Sequence, residues 1–185
     1  MATDSRLMYR YQQGRAWLHR MQPGAMAVRT AVYLTGFLAV TVAAAPTLGV
    51  LRAAAFAVIV PIMPAVRPMK AWPTGLIITC VLVWAVSGEH SYALAALLGA
   101  LLYAHHTSAA QAVTMRTDTY VTPEVLTGWA RRTGLVLLAA AAASVLVGAL
   151  PGLFGRTDAI AFGLAGLAAV AGLGGILAWL VLRKL

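Results

Sequence analysis

GWARRTGLVLLAAAAASVLVGAL, residues 128–150, is the stretch that decides the fold. After Arg132 it carries no charged side chain, and its length suits the ~20 apolar residues (range ~17–25) that cross a bilayer as a helix. The whole chain has the same character, since 61% of its 185 residues are hydrophobic and only 10% are charged. The composition therefore predicts an all-α, polytopic transmembrane bundle and excludes a soluble, a disordered or a disulfide-stabilised secreted protein.

Prolines, glycines and charges divide the chain into six apolar runs of about this length. The runs are 27–45, which Pro46 ends, and 47–66, 71–87, 91–112, 128–150 and 159–182. Arg52 lies one turn into the second run and can snorkel to the interface. If the second and third runs instead form a re-entrant pair on one face of the membrane, the chain has four spans.

The fifth run is preceded by a helix start signal. Thr122 can cap a helix, Pro123 suits the first helical position, and Glu124 lies where the helix dipole favours an acid. We therefore expect a helix to begin at Pro123 and to continue into the fifth run.

Charge predicts the topology. The chain has 14 Lys and Arg against 5 Asp and Glu, a net charge of +9. Six spans with a cytoplasmic N-terminus leave only Arg52 and Arg156 outside, and the other twelve basic residues inside. This positive-inside bias predicts a plasma-membrane protein with both termini in the cytoplasm. Because the basic residues flank apolar runs, they favour anionic lipid as a partner and not nucleic acid.

Residues 1–24 form a predicted basic segment ahead of the bundle, 25–185. The segment lacks the apolar core of a signal peptide. It either lies along the membrane surface as an amphipathic helix or is a partly ordered tail that only fixes orientation. Its arginines and the pair before the fifth span form a predicted basic surface for lipid or partners: Arg6, Arg10, Arg15, Arg20, Arg131 and Arg132.

Small residues predict how the spans pack. Lipid is as apolar as leucine, so membrane helices associate where small side chains let their backbones approach. Small residues recur four apart in the last three runs, which are therefore predicted to form the core, whereas the bulkier third run faces lipid or a partner. The packing positions are Gly99, Ser144, Gly148, Gly172 and Gly175.

Two prolines break the second run, in Val60-Pro61-Ile62-Met63-Pro64. Each proline removes one backbone hydrogen bond, so the helix is kinked or unwound there. One interpretation is a kink that only tapers the bundle. The other is a hinge, or a site lined by freed carbonyls as in transporters.

His105 and His106 lie near the end of the fourth run. Adjacent helical residues point about 100° apart, so the two imidazoles cannot share one site, which argues against metal or haem. A proton-linked site would usually include a carboxylate within the membrane, and the acidic residues all fall in loops or at helix ends. Either one imidazole bonds a neighbouring helix while the other faces the headgroups, or the pair handles protons.

Enzyme chemistry finds no support in the sequence. The chain has no HExxH, no GxSxG and no spaced aspartate cluster, and a membrane hydrolase or transferase needs a nucleophile with its base or clustered metal ligands. We therefore predict no catalytic residue, no metal site and no cofactor.

Residues 103–134, YAHHTSAAQAVTMRTDTYVTPEVLTGWARRTG, resemble small integral membrane proteins of actinobacteria. In these proteins an apolar span ends in a His-Thr/Ser-Ala-Ala run, and a short loop leads to a PEVL…WA.R helix start. Some are encoded beside MoxR-type AAA+ ATPases. The resemblance implies an accessory membrane component and gives no catalytic residues to carry over.

Two functions follow as expectations. The first is a non-catalytic accessory or scaffolding subunit of a membrane assembly, bound to other subunits or to itself. The alternative is a small oligomeric transporter or channel, whose polar path would run near Pro61, Pro64, His105 and His106.

Overall fold

The computed structural model describes residues 22–68, 71–88, 91–115 and 120–154, and every regular element within these ranges is an α-helix. The helices are α1 (Pro23–Leu48), α2 (Val50–Ala57), α3 (Ile62–Val66), α4 (Ala71–Val86), α5 (Tyr92–Thr114) and α6 (Pro123–Phe154). Several predicted features lie outside the described residues: the sixth apolar run with Gly172 and Gly175, and the N-terminal arginines Arg6, Arg10, Arg15 and Arg20.

Three helices are long and apolar enough to cross a membrane. They are α1, α5 and the part of α6 from Pro123 to Leu146, with 26, 23 and 24 residues. The segments Val50–Val66 and Ala71–Val86 are shorter apolar helices. The prediction of a helical membrane protein is therefore confirmed at the level of helix type and membrane-length segments.

The first helix ends later than the sequence predicted. Pro46 was expected to end it, but Pro46 lies inside the last turn and α1 continues to Leu48. Pro46 removes only its own backbone donor, and the Gly49 N–H still bonds the Ala45 carbonyl at 2.9 Å. Gly49 then takes φ +77°, a conformation that glycine adopts without a Cβ penalty, and this residue ends the helix.

Helices α2 and α3 run back along α1. Ala57 at the end of α2 shares a buried cluster with Ala43, whereas Arg29, near the start of α1, bonds the carbonyl of Val66 at the end of α3. At 1.5 Å per residue, the distance along α1 from Arg29 to its last residue is about 28 Å. The broken helix therefore travels most of the length of α1 in the opposite direction.

Helix α5 also runs antiparallel to α1. Leu98 near its start packs in the cluster of Ala39 and Ala43, and Ala112 near its end packs in the cluster of Val28. Helix α4 contributes Leu76 and Cys80 to the first of these clusters. Helix α1 is therefore the centre on which α2, α3, α4 and α5 pack.

Helix α6 begins where the sequence predicted. Pro123 is its first residue and Glu124 lies in its first turn. The Thr122 carbonyl accepts from the backbone N–H of Val125 at 3.1 Å, and the helix continues without interruption to Phe154. The chain forms two compact units, the first ending at Leu138 and the second beginning at Ala139, so the start of α6 belongs to the first.

Among the glycines of the described helices, Gly36 on α1 is in close contact with neighbouring helices. A Cβ added at Gly36 would meet Pro61 at 2.9 Å, whereas at Gly99 no atom lies within 4 Å of the added Cβ. Within the described residues, the core is centred on α1, and of the runs predicted to form it the fourth contributes Leu98, Ala109 and Ala112. The predicted contacts with the sixth run lie outside the described residues.

Candidate functional site

Gly36 on α1 packs closely against Pro61 and His105. A Cβ at this position would lie 2.9 Å from Pro61 Cβ and 3.1 Å from both Cε1 and Nδ1 of His105. These distances are shorter than ordinary van der Waals contact, so only a residue without a side chain fits. We call the contact of Gly36, Pro61 and His105, with Val32 and Thr35 beside it, the junction.

His105 is completely buried in the junction. Its Nδ1 lies 3.0 Å from the carbonyl oxygen of Val32. Because a carbonyl only accepts hydrogen bonds, this contact assigns the proton of the neutral imidazole to Nδ1. The other ring nitrogen, Nε2, is buried and has no hydrogen-bond partner among the described residues. It therefore presents an unused acceptor lone pair.

Thr35 lies at the edge of this arrangement. Its Oγ1 is 3.5 Å from His105 Nδ1, at the outer limit for a hydrogen bond. The same hydroxyl donates to the Ala31 carbonyl at 2.6 Å. The hydroxyl proton of Thr35 is thus used in a bond to the α1 backbone. The Val32 carbonyl remains the principal hydrogen-bond partner of His105.

His106 points away from the junction and is exposed. The divergence follows from the 100° that separates neighbouring positions on a helix. The two histidines are therefore not brought to one site, and only His105 reaches the helix break.

The break itself covers residues 58–61, between α2 and α3. Pro61 and Pro64 have no N–H to offer the carbonyls four residues earlier. The chain turns there with shorter-range bonds, such as Ile62 N–H to the Ile59 carbonyl at 3.2 Å. The Tyr33 hydroxyl of α1 donates to the Val58 carbonyl at 3.1 Å. A side chain of α1 therefore satisfies backbone that the break has exposed.

Arg29 does the same at the end of α3. Its Nη1 donates to the carbonyl oxygens of Ala65 at 3.0 Å and of Val66 at 3.2 Å. The last carbonyls of a helix lack intrahelical donors and carry partial negative charge, so a guanidinium there is favourable. Arg29 thus fixes the C-terminal end of the broken helix to α1.

The sequence predicted Arg29 only as one of the cytoplasmic basic residues, and it did not identify Tyr33 or Gly36 as residues of a site. A signal was present, because the three residues are spaced i, i+4 and i+7 and share one face of α1. Both prolines of the break were identified in advance and are buried. The structure brings Pro61 together with His105.

The other candidate residues lie elsewhere. Arg131 and Arg132 are exposed on the first turns of α6, Gly148 is exposed and Ser144 is half-buried further along the same helix. No group of three or more metal-ligating side chains occurs within the described ranges. The junction is therefore the site whose geometry bears on function.

The chain matches no protein-family model, no curated protein and no solved structure. The resemblance of residues 103–134 to small actinobacterial membrane proteins stays a prediction.

Chemically, the junction can do one of two things. While closed, it satisfies the polar groups of the break with donors from α1, and it leaves no room beside Gly36. If opened, it would present the Val58 carbonyl and the His105 imidazole to whatever enters. The first arrangement makes a rigid structural element, and the second makes a polar path.

Proposed function

We propose that the chain is a non-catalytic accessory or scaffolding subunit of a bacterial plasma-membrane assembly, with six spans and both termini in the cytoplasm. The observation that carries the proposal is the closed junction. A Cβ at Gly36 would lie within 3.1 Å of both Pro61 and His105. Tyr33 bonds the backbone of the break, and Arg29 bonds the end of α3. An element stabilised in this way suits a subunit that holds a shape.

The direction of the helices supports the six-span topology. Helix α1 runs one way, the broken helix α2–α3 returns along it, and α5 is again antiparallel to α1. If the second and third runs formed a re-entrant pair, the chain would turn back within the membrane and residue 66 would lie only part of the way along α1. Instead, residue 66 lies beside Arg29, at the end opposite Gly49, which favours a full crossing.

This topology predicts the result of thiol labelling in intact cells. In a Cys80→Ser background, Thr47→Cys and Gly155→Cys should react with a membrane-impermeant maleimide from outside. Thr117→Cys should react only after lysis, because it lies in a cytoplasmic loop. Labelling of Thr47→Cys only after lysis would contradict the first two spans as proposed.

The exposed surface of α6 supports an assembly. None of the most apolar part of the segment Pro123–Leu146 is buried among the described residues, so lipid, the sixth run or another protein chain covers it. Ser144 and Gly148 lie four apart on this helix, the spacing at which a second membrane helix can approach closely. We propose that this face binds another subunit, and that Arg131 and Arg132 contact anionic headgroups.

Isolation from native membranes tests the assembly. The tagged chain is extracted with mild detergent, and the mass of its complexes is measured by native mass spectrometry. We expect a complex of fixed stoichiometry with other membrane proteins or with further copies of the chain. Ser144→Leu should dissociate this complex, because the added side chain keeps the helices apart. Its neighbour Val145 is 71% exposed and provides the control Val145→Leu, which should leave the complex intact.

A proton-linked transporter is the competing function, favoured by the buried and unpartnered Nε2 of His105. A transporter would carry protons when reconstituted alone in liposomes, and His105→Gln would abolish the flux while His106→Gln would not. We expect no flux from the purified chain. A flux that disappears only in His105→Gln would replace the scaffold proposal with the transporter.

A further inference from the structure

We propose that the junction is an acid-operated latch, in which protonation of His105 at Nε2 separates α5 from Gly36 and Pro61 and releases the broken helix α2–α3 from α1. The latch concerns how the described bundle changes shape, and it is independent of whether the chain serves an assembly or transports a substrate.

A second proton can bind the His105 imidazole at only one atom. Nδ1 already carries a hydrogen, which it donates to the Val32 carbonyl at 3.0 Å. A further proton can therefore bind only at Nε2, which is buried and has no partner. Once protonated, Nε2 becomes a charged donor with nothing to accept its bond, and such a group is strongly unfavourable in an apolar surrounding.

No acidic side chain among the described residues lies where it could compensate the charge of a protonated His105. On α1, Arg29 and Tyr33 are both donors and are already bonded to carbonyls of the broken helix. On the broken helix, Arg52 and Arg67 are exposed, and on α5 the nearest titratable groups are Tyr103 and the exposed His106. The one acidic side chain in the described ranges, Glu124, is exposed at the start of α6. Water or a lipid headgroup is therefore the acceptor that protonation requires.

Opening the junction requires one of the packed helices to move. A Cβ at Gly36 would lie within 3.1 Å of both the imidazole and Pro61, so the three residues are closely packed and the imidazole can reach water only if one of the helices that carry them moves. Of the bonds that hold the broken helix, Tyr33 to Val58 and Arg29 to Val66 lie at the exposed surface of the bundle, and Arg29 to Ala65 is half-buried. Exposed bonds around an irregular turn open at lower free energy than a packed helix does. The broken helix is therefore the moving part.

Distance measurements between spin labels test the latch directly. Thr30 on α1 and Met63 on α3 are both exposed, so labels at Thr30→Cys and Met63→Cys in a Cys80→Ser background should not disturb the core. In lipid nanodiscs at about pH 8 we expect a single short distance. As the pH falls to about 5, the lower end of the range in which histidine ordinarily changes charge, we expect a second, longer population to appear and to grow.

Matched histidine variants assign the effect. His105→Gln cannot take up the proton and should keep the short distance at both pH values, whereas His106→Gln should open like the wild type. A distance distribution that does not change with pH in the wild type would overturn the latch, as would opening that persists in His105→Gln.

If His105→Gln does not fold, imidazole carbon-13 resonances decide the question in the wild type. Assignment uses His19→Gln, His90→Gln and His106→Gln to identify the other three histidine signals. The opening midpoint from the spin labels should coincide with the titration of the remaining buried histidine. Opening that follows a different midpoint would overturn the proposal.

Discussion

Gly36→Leu is expected to remove most of the folded population of the purified protein, whereas Gly99→Leu leaves it folded. Even a single methyl group at Gly36 would lie 2.9 Å from Pro61 Cβ and 3.1 Å from two atoms of the His105 ring. Neither neighbour is the free end of a flexible side chain, so backbone must move. We expect the upper end of the ~1–3 kcal/mol that over-packing usually costs, or more.

Gly99 provides the matched control because it is also a helical glycine and no described atom lies within 4 Å of its added Cβ. Both substitutions raise intrinsic helix propensity equally, so the difference between them reports packing alone. Unfolding in a titration from mild detergent into dodecyl sulfate, followed by tryptophan fluorescence, measures the loss. Unchanged stability of Gly36→Leu would show that the junction is loose.

An equal loss at Gly99 would have a different meaning. It would show that a helix beyond the described residues, or a second copy of the chain, packs on this glycine as the small-residue pattern predicted. Repeating the titration at lower protein concentration separates the two cases, because only contact between copies depends on concentration.

Local rules explain which features could be predicted from the sequence. The start of α6 at Pro123 depends on capping chemistry within a few residues, and the divergence of His105 from His106 depends on helix geometry alone. Composition was enough to identify a helical membrane protein. Each of these inferences needs no knowledge of which helix lies beside which.

The end of α1 shows how two local signals compete. Pro46 and Gly49 are both residues that can end a helix, and the sequence pattern predicted the end at Pro46. Proline interrupts a helix mainly by removing a donor and crowding the preceding turn, which the last turn tolerates. Glycine ends it here by adopting φ +77°, so the decisive signal was the residue with backbone freedom.

The packing of the junction could not be predicted, because it depends on tertiary partners. Small residues four apart occur on several helices, and the pattern does not say which of them meets a neighbour. Gly36 is a contact point only because the break places Pro61 opposite it and α5 supplies His105. Likewise, the role of Arg29 depends on carbonyls 36 and 37 residues away along the chain.

Arg29→Met should destabilise the bundle, whereas Arg52→Met should have little effect. Methionine keeps much of the length and apolar volume of the arginine stem but has no donor. The substitution therefore leaves the carbonyls of Ala65 and Val66 without the guanidinium that now bonds them at 3.0 and 3.2 Å. The bond to Ala65 is half-buried and the bond to Val66 is exposed, so we expect the lower end of the ~1–3 kcal/mol that an unsatisfied buried acceptor costs, which corresponds to roughly a 5-fold smaller folding equilibrium constant.

Arg52 is the appropriate control because it belongs to the same broken helix and is exposed. Its loss should lie within the ~0.5 kcal/mol typical of surface substitutions. The same detergent titration measures both variants, and Arg29→Lys should recover part of the stability because it restores one charged donor. If Arg29→Met proves as stable as Arg52→Met, water already satisfies these carbonyls and α1 does not hold the end of α3. If it is unstable and Arg29→Lys recovers stability, the charged donor of α1 is what keeps the broken helix in place.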